Sequence, residues 1–344
     1  MRAPHRLAAA VLVALALTLA AGPARADVIE EVEALVHKGA VDQALKRCDQ
    51  LIKIKPKDAR PHFVKALALR AKNDLPGAIA SLRRAVALDG KFPQALMTLG
   101  AMLDEAGQSA EAVTFLRQAV KVKADYGDAW FNLGRIHQRL GAHKEAADAL
   151  RQAVKLNAKD LEARVRLANA LGKLGKLDEA VAEMRAAVLL EPTEPKLHMA
   201  LGAALAKARK LDDAARELGL ALKLDGKLAE AALRLGRVEL ERNRVKDARA
   251  AFEKAVALAP KSAEAACDLG LAHEAAGDLR KGVELCRKAL TLNPGYVKAH
   301  LRIGTMLLKL KQCAAAKAEL GAYLKQVTEA KRRQEIEALM AGCK

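Results

Sequence analysis

Large aromatic side chains are scarce in this 344-residue chain, which has one Trp, three Tyr and five Phe. A core of stacked rings is therefore excluded. The 52% hydrophobic share has to pack through small and aliphatic residues, chiefly Ala and Leu. Val, Ile and Thr do not cluster in alternating runs, so no half-buried strands are expected, and an all-α chain follows. Beyond residue 26 no apolar run approaches the roughly 20 residues that a membrane-spanning helix needs. Catalytic signatures are missing as well. His273-Glu274-Ala275-Ala276-Gly277 opens like a zinc-protease helix but lacks the second His, and Gly172-Lys173-Leu174-Gly175-Lys176 has neither phosphate-loop spacing nor a following Ser or Thr. No Gly-x-Ser-x-Gly element occurs. No catalytic residue, cofactor or metal set is expected.

The first 26 residues stand apart from the rest. Arg2 and Arg6 precede an uncharged apolar run from Leu7 to Ala21, and Ala24-Arg25-Ala26 offers small residues where a signal peptidase inspects them. This reads as a secretory signal cleaved after Ala26, leaving Asp27 first; an uncleaved anchor is the competing reading, for which the run is short. Export places the mature chain in a bacterial periplasm or outside the cell. Three of the 59 basic residues lie in the signal, so 56 remain against 41 acids, a net charge of +15. Such a chain is suited to acidic partners or anionic envelope polymers, and the compartment argues against nucleic acid. Five cysteines sit where disulfides persist.

The dominant feature is a 34-residue period. From Gly134 it reaches Gly100 backwards and Ala168, Gly202, Gly236, Gly270 and Gly304 forwards, with Ala66 and Val32 two further steps back. Nine registers fit without insertion: 25–58, 59–92, 93–126, 127–160, 161–194, 195–228, 229–262, 263–296 and 297–330. A second column is small throughout, Ala44 to Ala316 with Gly282 as its one glycine, which lets helices approach closely. Between the columns stands a chain breaker, Gly or Asn except at Arg209 and Lys311, suited to the left-handed turn that ends a helix. Each repeat therefore reads as helix, tight turn, helix.

The pattern resembles the tetratricopeptide repeat (TPR), best in the fourth repeat (Trp130, Leu133, Gly134, Ala146, Ala153) and the seventh (Gly236, Ala248, Phe252, Ala255, Pro260). The resemblance covers residues 25–330. It implies a right-handed α-solenoid of about nine helix-turn-helix repeats over 27–330. A capping helix beginning near 328, with its main part at 331–344, presents Ile336, Leu339 and Met340 on one face. His62, His198 and His300 share the column of Trp130, and His137 and His273 fall in the family's Tyr column. They read as half-buried packing positions on successive repeats, not ligands around one point.

The resemblance also implies a partner-binding groove lined by the first helices. Its candidate residues are Phe63, Arg70 and Met97 in the second and third repeats, then Phe131, Asn132, Arg135, Gln138 and Arg139 in the fourth. Arg166, Asn169 and Lys173 follow in the fifth, Lys207 in the sixth, and Arg234 and Arg237 in the seventh. Two readings stand. One is a basic groove that holds an acidic, extended segment of another protein of an envelope complex; the other is a solvated face of a chain basic throughout. An anionic polysaccharide or peptidoglycan is the alternative partner. In an antiparallel hairpin, residues equally far from the turn meet, so Cys267 faces Cys286 and Cys313 faces Cys343 as candidate disulfides, while Cys48 is left a buried thiol. The competing reading is five small core fillers.

Overall fold

The structure, a computed structural model, describes residues 27–342. The signal segment and Cys343 lie outside these residues. Among the described residues there are nineteen helices and no strand. The chain divides after Gly175 into two compact units. The first holds α1 (Asp27–His37), α2 (Val41–Ile54), α3 (Ala59–Ala71), α4 (Leu75–Leu88), α5 (Pro93–Glu105), α6 (Ser109–Val122), α7 (Gly127–Arg139), α8 (His143–Leu156) and α9 (Leu161–Lys173). The second holds α10 (Leu177–Leu190), α11 (Pro195–Lys207), α12 (Leu211–Leu224), α13 (Ala229–Glu241), α14 (Val245–Leu258), α15 (Ala263–Ala275), α16 (Leu279–Leu292), α17 (Val297–Lys309), α18 (Cys313–Leu324) and α19 (Ala330–Ala341). The fold is an all-α solenoid of tandem helix pairs.

Local chemistry sets the helix ends. Asp58, Asp160, Glu194 and Ser262 cap the first helices α3, α9, α11 and α15 by accepting from a backbone N–H in the first turn. Where Phe92 or Tyr126 takes that position there is no side-chain cap; the ring packs instead, Phe92 lying 5.1 Å from Phe63. The turn inside each pair runs through a left-handed residue. Arg209 and Lys311 adopt it too, at φ 61° and 59°, because the following backbone N–H must reach back to close the helix end. The turn therefore decides their conformation against their own preference.

The glycine column sets how closely paired helices approach. A methyl placed on Gly134 would stand 2.5 Å from Leu150 Cγ, and one on Gly236 2.5 Å from Phe252. The α15–α16 pair is built differently: the residue in the Leu150 column is Cys286, and Gly270 and Gly282 bring the two backbones together. A disulfide joins Cys267 to Cys286 across this pair, with Cα atoms 4.2 Å apart. Cys313 is also disulfide-bonded, and Cys48 is a buried free thiol.

Adjacent repeats are tied by one recurring bond. Trp130 Nε1 donates to Ala124 O at 2.8 Å, Arg164 Nε to Ala158 O at 2.8 Å, and His198 Nε2 lies 2.9 Å from Pro192 O. The Trp130 column is thus a structural staple. At the far end α19 buries Ile336 against Leu320 and Leu324, and Arg333 donates to the Leu324 and Val327 carbonyls. Leu339, expected on the same face, is exposed: only the Ile336–Met340 stripe, four residues apart, reaches the layer below.

Candidate functional site

Within each unit, first helices touch first helices: α1 and α3, α5 and α7, and α7 and α9 in the first unit, and α11, α13, α15 and α17 in sequence in the second. The expected groove residues lie on these helices, in two separate settings.

In the first unit the apolar members Phe63, Met97 and Phe131 are buried and form the floor of the face. Above them the charges are interlocked. Asp104, whose side chain is 2% exposed, binds both Arg135 (3.0 Å) and Arg139, and Arg139 also donates to Ser109 Oγ at 2.8 Å. Arg70 pairs with Glu105 of the next first helix. Arg166 stacks over the Phe131 ring at 5.7 Å, pairs with Glu162, and offers its backbone carbonyl to Gln138 Nε2 at 2.7 Å. Asn132 spends its amide on the Asp128 carbonyl. Burial first, and then the charge of Arg166, press the Arg135 guanidinium below the ordinary arginine range. Asn169 and Lys173 are exposed at the rim.

In the second unit a buried carboxylate ties three successive repeats. Asp268, 0% exposed, binds Arg237 (2.6 Å) from the repeat before and Arg302 from the repeat after. Arg237 also pairs with Glu264, and Arg234 with Glu230 at 2.7 Å. The Tyr296 hydroxyl is buried without a hydrogen-bond partner; burial raises its pKa, and Arg302, Asp268, Glu264 and Arg237 all act on it. Lys207 stands exposed. Reading the groove for its cations missed Asp104, Glu105, Glu264 and Asp268. They occupy groove positions of the third and eighth repeats, so the same column reading, applied to acids there, would have found them.

One tetratricopeptide-repeat model matches residues 29–95, 97–160 and 233–297, and a second matches 137–204. The chain belongs to the tetratricopeptide-repeat family. Among solved structures it is similar to YrrB, a TPR protein with an unusual peptide-binding site: 26% identity, covering 54% of this chain and 95% of that one, TM-score 0.50. A TPR protein from Parabacteroides merdae ATCC 43184 shares the fold at 15% identity, covering 73% of this chain and 99% of that one, TM-score 0.61. The C-terminal part of a TPR protein from Cytophaga hutchinsonii does so at 15%, covering 70% and 99%, TM-score 0.58. No curated protein matches significantly. Among the described residues no helix is long and apolar enough to cross a membrane.

Proposed function

We propose that the chain is an exported, non-enzymatic scaffold of the cell envelope that holds an extended or helical segment of another protein on its first-helix face. One observation carries the reading: Arg135 and Arg166, on adjacent repeats, keep 27% and 33% of their side chains exposed although each already pairs with a carboxylate of this chain, and the like charge of Arg166, stacked over the Phe131 ring, still repels Arg135. A carboxylate of the partner would relieve that repulsion, and a charge-assisted hydrogen bond of this kind contributes about 1.5–3 kcal/mol. The peptide-binding site named for YrrB supports the choice of ligand class.

The test replaces Arg135 and Arg166 by Gln. Charge reversal of Arg135 and Arg139 is the wrong probe, because it would strand buried Asp104 beside new carboxylates. A partner pulled down from periplasmic extract by the wild-type chain should lose affinity by about 10- to 100-fold, with circular dichroism unchanged. Unchanged affinity would overturn the site. For export, N-terminal sequencing of the natively processed protein should begin Asp-Val-Ile-Glu; retention of residues before Ala26 in a membrane fraction would favour an anchor.

A further inference from the structure

One aliphatic column is partly exposed along the second helices. Val122, Leu156, Leu190, Leu224, Leu258 and Leu292 stand one 34-residue step apart and are 36–42% exposed. A feature shared by six successive repeats belongs to the repeat and singles out no site. Two further leucines lie outside it. Leu189 on α10 is 80% exposed and Leu220 on α12 39%. In the column of Leu189 the other repeats place Lys at five positions, Ala at two and Thr at one. In the column of Leu220 they place Gln at three, Lys or Arg at three and Ala at two. The one large apolar residue in each of these columns therefore falls on consecutive second helices of the second unit.

Those helices lie side by side, with Arg185 of α10 paired to Asp213 of α12 at 2.8 Å. Leu189, Leu190, Leu220 and Leu224 thus expose four leucines in the last turns of two neighbouring helices. The face of α10 that holds Leu189 continues at helical spacing as Ala186 and Ala182, small enough to receive a leucine from outside. The charges beside the leucines are matched and unspent. Glu191 follows Leu190, Lys223 precedes Leu224, and both are exposed with no ion pair among the described residues. Glu191 is the C-cap of α10, where a carboxylate adds to the negative end of the helix, and the last turn has no basic residue to offset it. That position lacks a cation.

We propose that this patch pairs two copies of the chain about a two-fold axis. α10 of each copy lies across α12 of the other, which brings Leu189 and Leu190 onto Leu220 and Leu224 of the second copy. Glu191 then meets Lys223 of the second copy on both sides of the axis. A two-fold contact has to be self-complementary, and an apolar centre flanked by two such pairs meets that requirement. The chain is strongly basic, so its copies repel over most of their surface. Residues 177–194, with five acids against Arg185 alone, are where a second copy's cations are attracted. A standard interface buries about 800 Å² on each side, with a dry apolar core inside a polar rim. The patch is on the second-helix layer, not the first-helix face assigned to a protein partner, so neither reading depends on the other.

Sedimentation velocity of the mature chain over about a hundredfold range of concentration should show a monomer–dimer equilibrium. Leu189→Lys/Leu220→Gln installs what Lys155 and Gln152 supply in the same columns, so the helices are kept. It should weaken self-association at least about tenfold. Glu191→Lys and Lys223→Glu should each weaken it about threefold, and the double swap should restore it. Leu339→Lys, an exposed leucine on α19, is the control and should change it less than about twofold. The Arg135→Gln/Arg166→Gln variant should dimerise like the wild type. A monomer at every concentration would overturn the proposal, whether or not the patch captures lipid vesicles or another protein. So would an equal loss in Leu339→Lys, or a double swap that fails to restore what the single changes remove. Should the leucine variant melt early, the charge swap, confined to exposed residues, decides alone.

Discussion

Gly134 is the test of how the repeat positions its binding face. It lies on α7 between Phe131 and Arg135, directly above Leu150 of α8. In Gly134→Ala the new methyl would meet Leu150 Cγ at 2.5 Å and Cδ2 at 3.0 Å, with the Ala146 carbonyl at 3.2 Å behind them. Leu150 is fully buried and has nowhere to swing, so α7 must lift by several tenths of an ångström. Overpacking of this kind costs about 1–3 kcal/mol, against a helix-propensity gain of up to about 1. Ala66 fills the same column two repeats earlier, so a methyl is tolerated only where the pair has been built around it. Gly172→Ala on α9 is the control: its methyl meets nothing within 4 Å, and it should be neutral or slightly stabilising. Trp130, the chain's single Trp, sits one turn before Gly134 and reports on this pair through its fluorescence. With a urea m-value of about 1–3 kcal/mol/M, the Gly134→Ala midpoint should fall by roughly 1 M. Because α7 carries Phe131 and Arg135, partner affinity should fall with it. A midpoint at or above that of the wild type would refute the packing account.

Peptide mapping of the oxidised protein should recover Cys267 linked to Cys286. Reducing that bridge, which closes a 19-residue separation, should lower amide-exchange protection of α15 and α16 by about 3 kcal/mol on the chain-entropy model; unaltered protection would argue against it. Cys48 should resist alkylation until the chain unfolds, because burial pushes its thiol up to about 12. Stability should also decline in mild acid. Burial lowers the pKa of His137, so below the unfolded value of about 6.5 the unfolded chain binds the proton more readily, and stability is lost as pH falls from there through the folded value. His137→Leu should flatten that part of the profile, and an unchanged slope in the variant would remove His137 as its cause.

By itself the sequence determined the helical architecture. Helix starts, left-handed turns and the columns of Gly and Ala are local or nearest-neighbour features, and a 34-residue period repeats them until chance is excluded. The same logic explains why Trp130 and His198 share a column: each reaches back to a carbonyl of the preceding repeat. The tertiary structure alone decided where charge is available. Arg135, Arg139 and Arg237 read as free cations in a column count, yet Asp104 and Asp268, some 31–35 residues away, neutralise them once the helices are packed. Burial in a low-dielectric layer makes such pairing obligatory for the carboxylates. Arg84, Arg117, Lys121 and Lys155 look no different in sequence. They stay unneutralised because no carboxylate among the described residues comes within ion-pair distance of them, and that distinction exists only once side chains have neighbours in space.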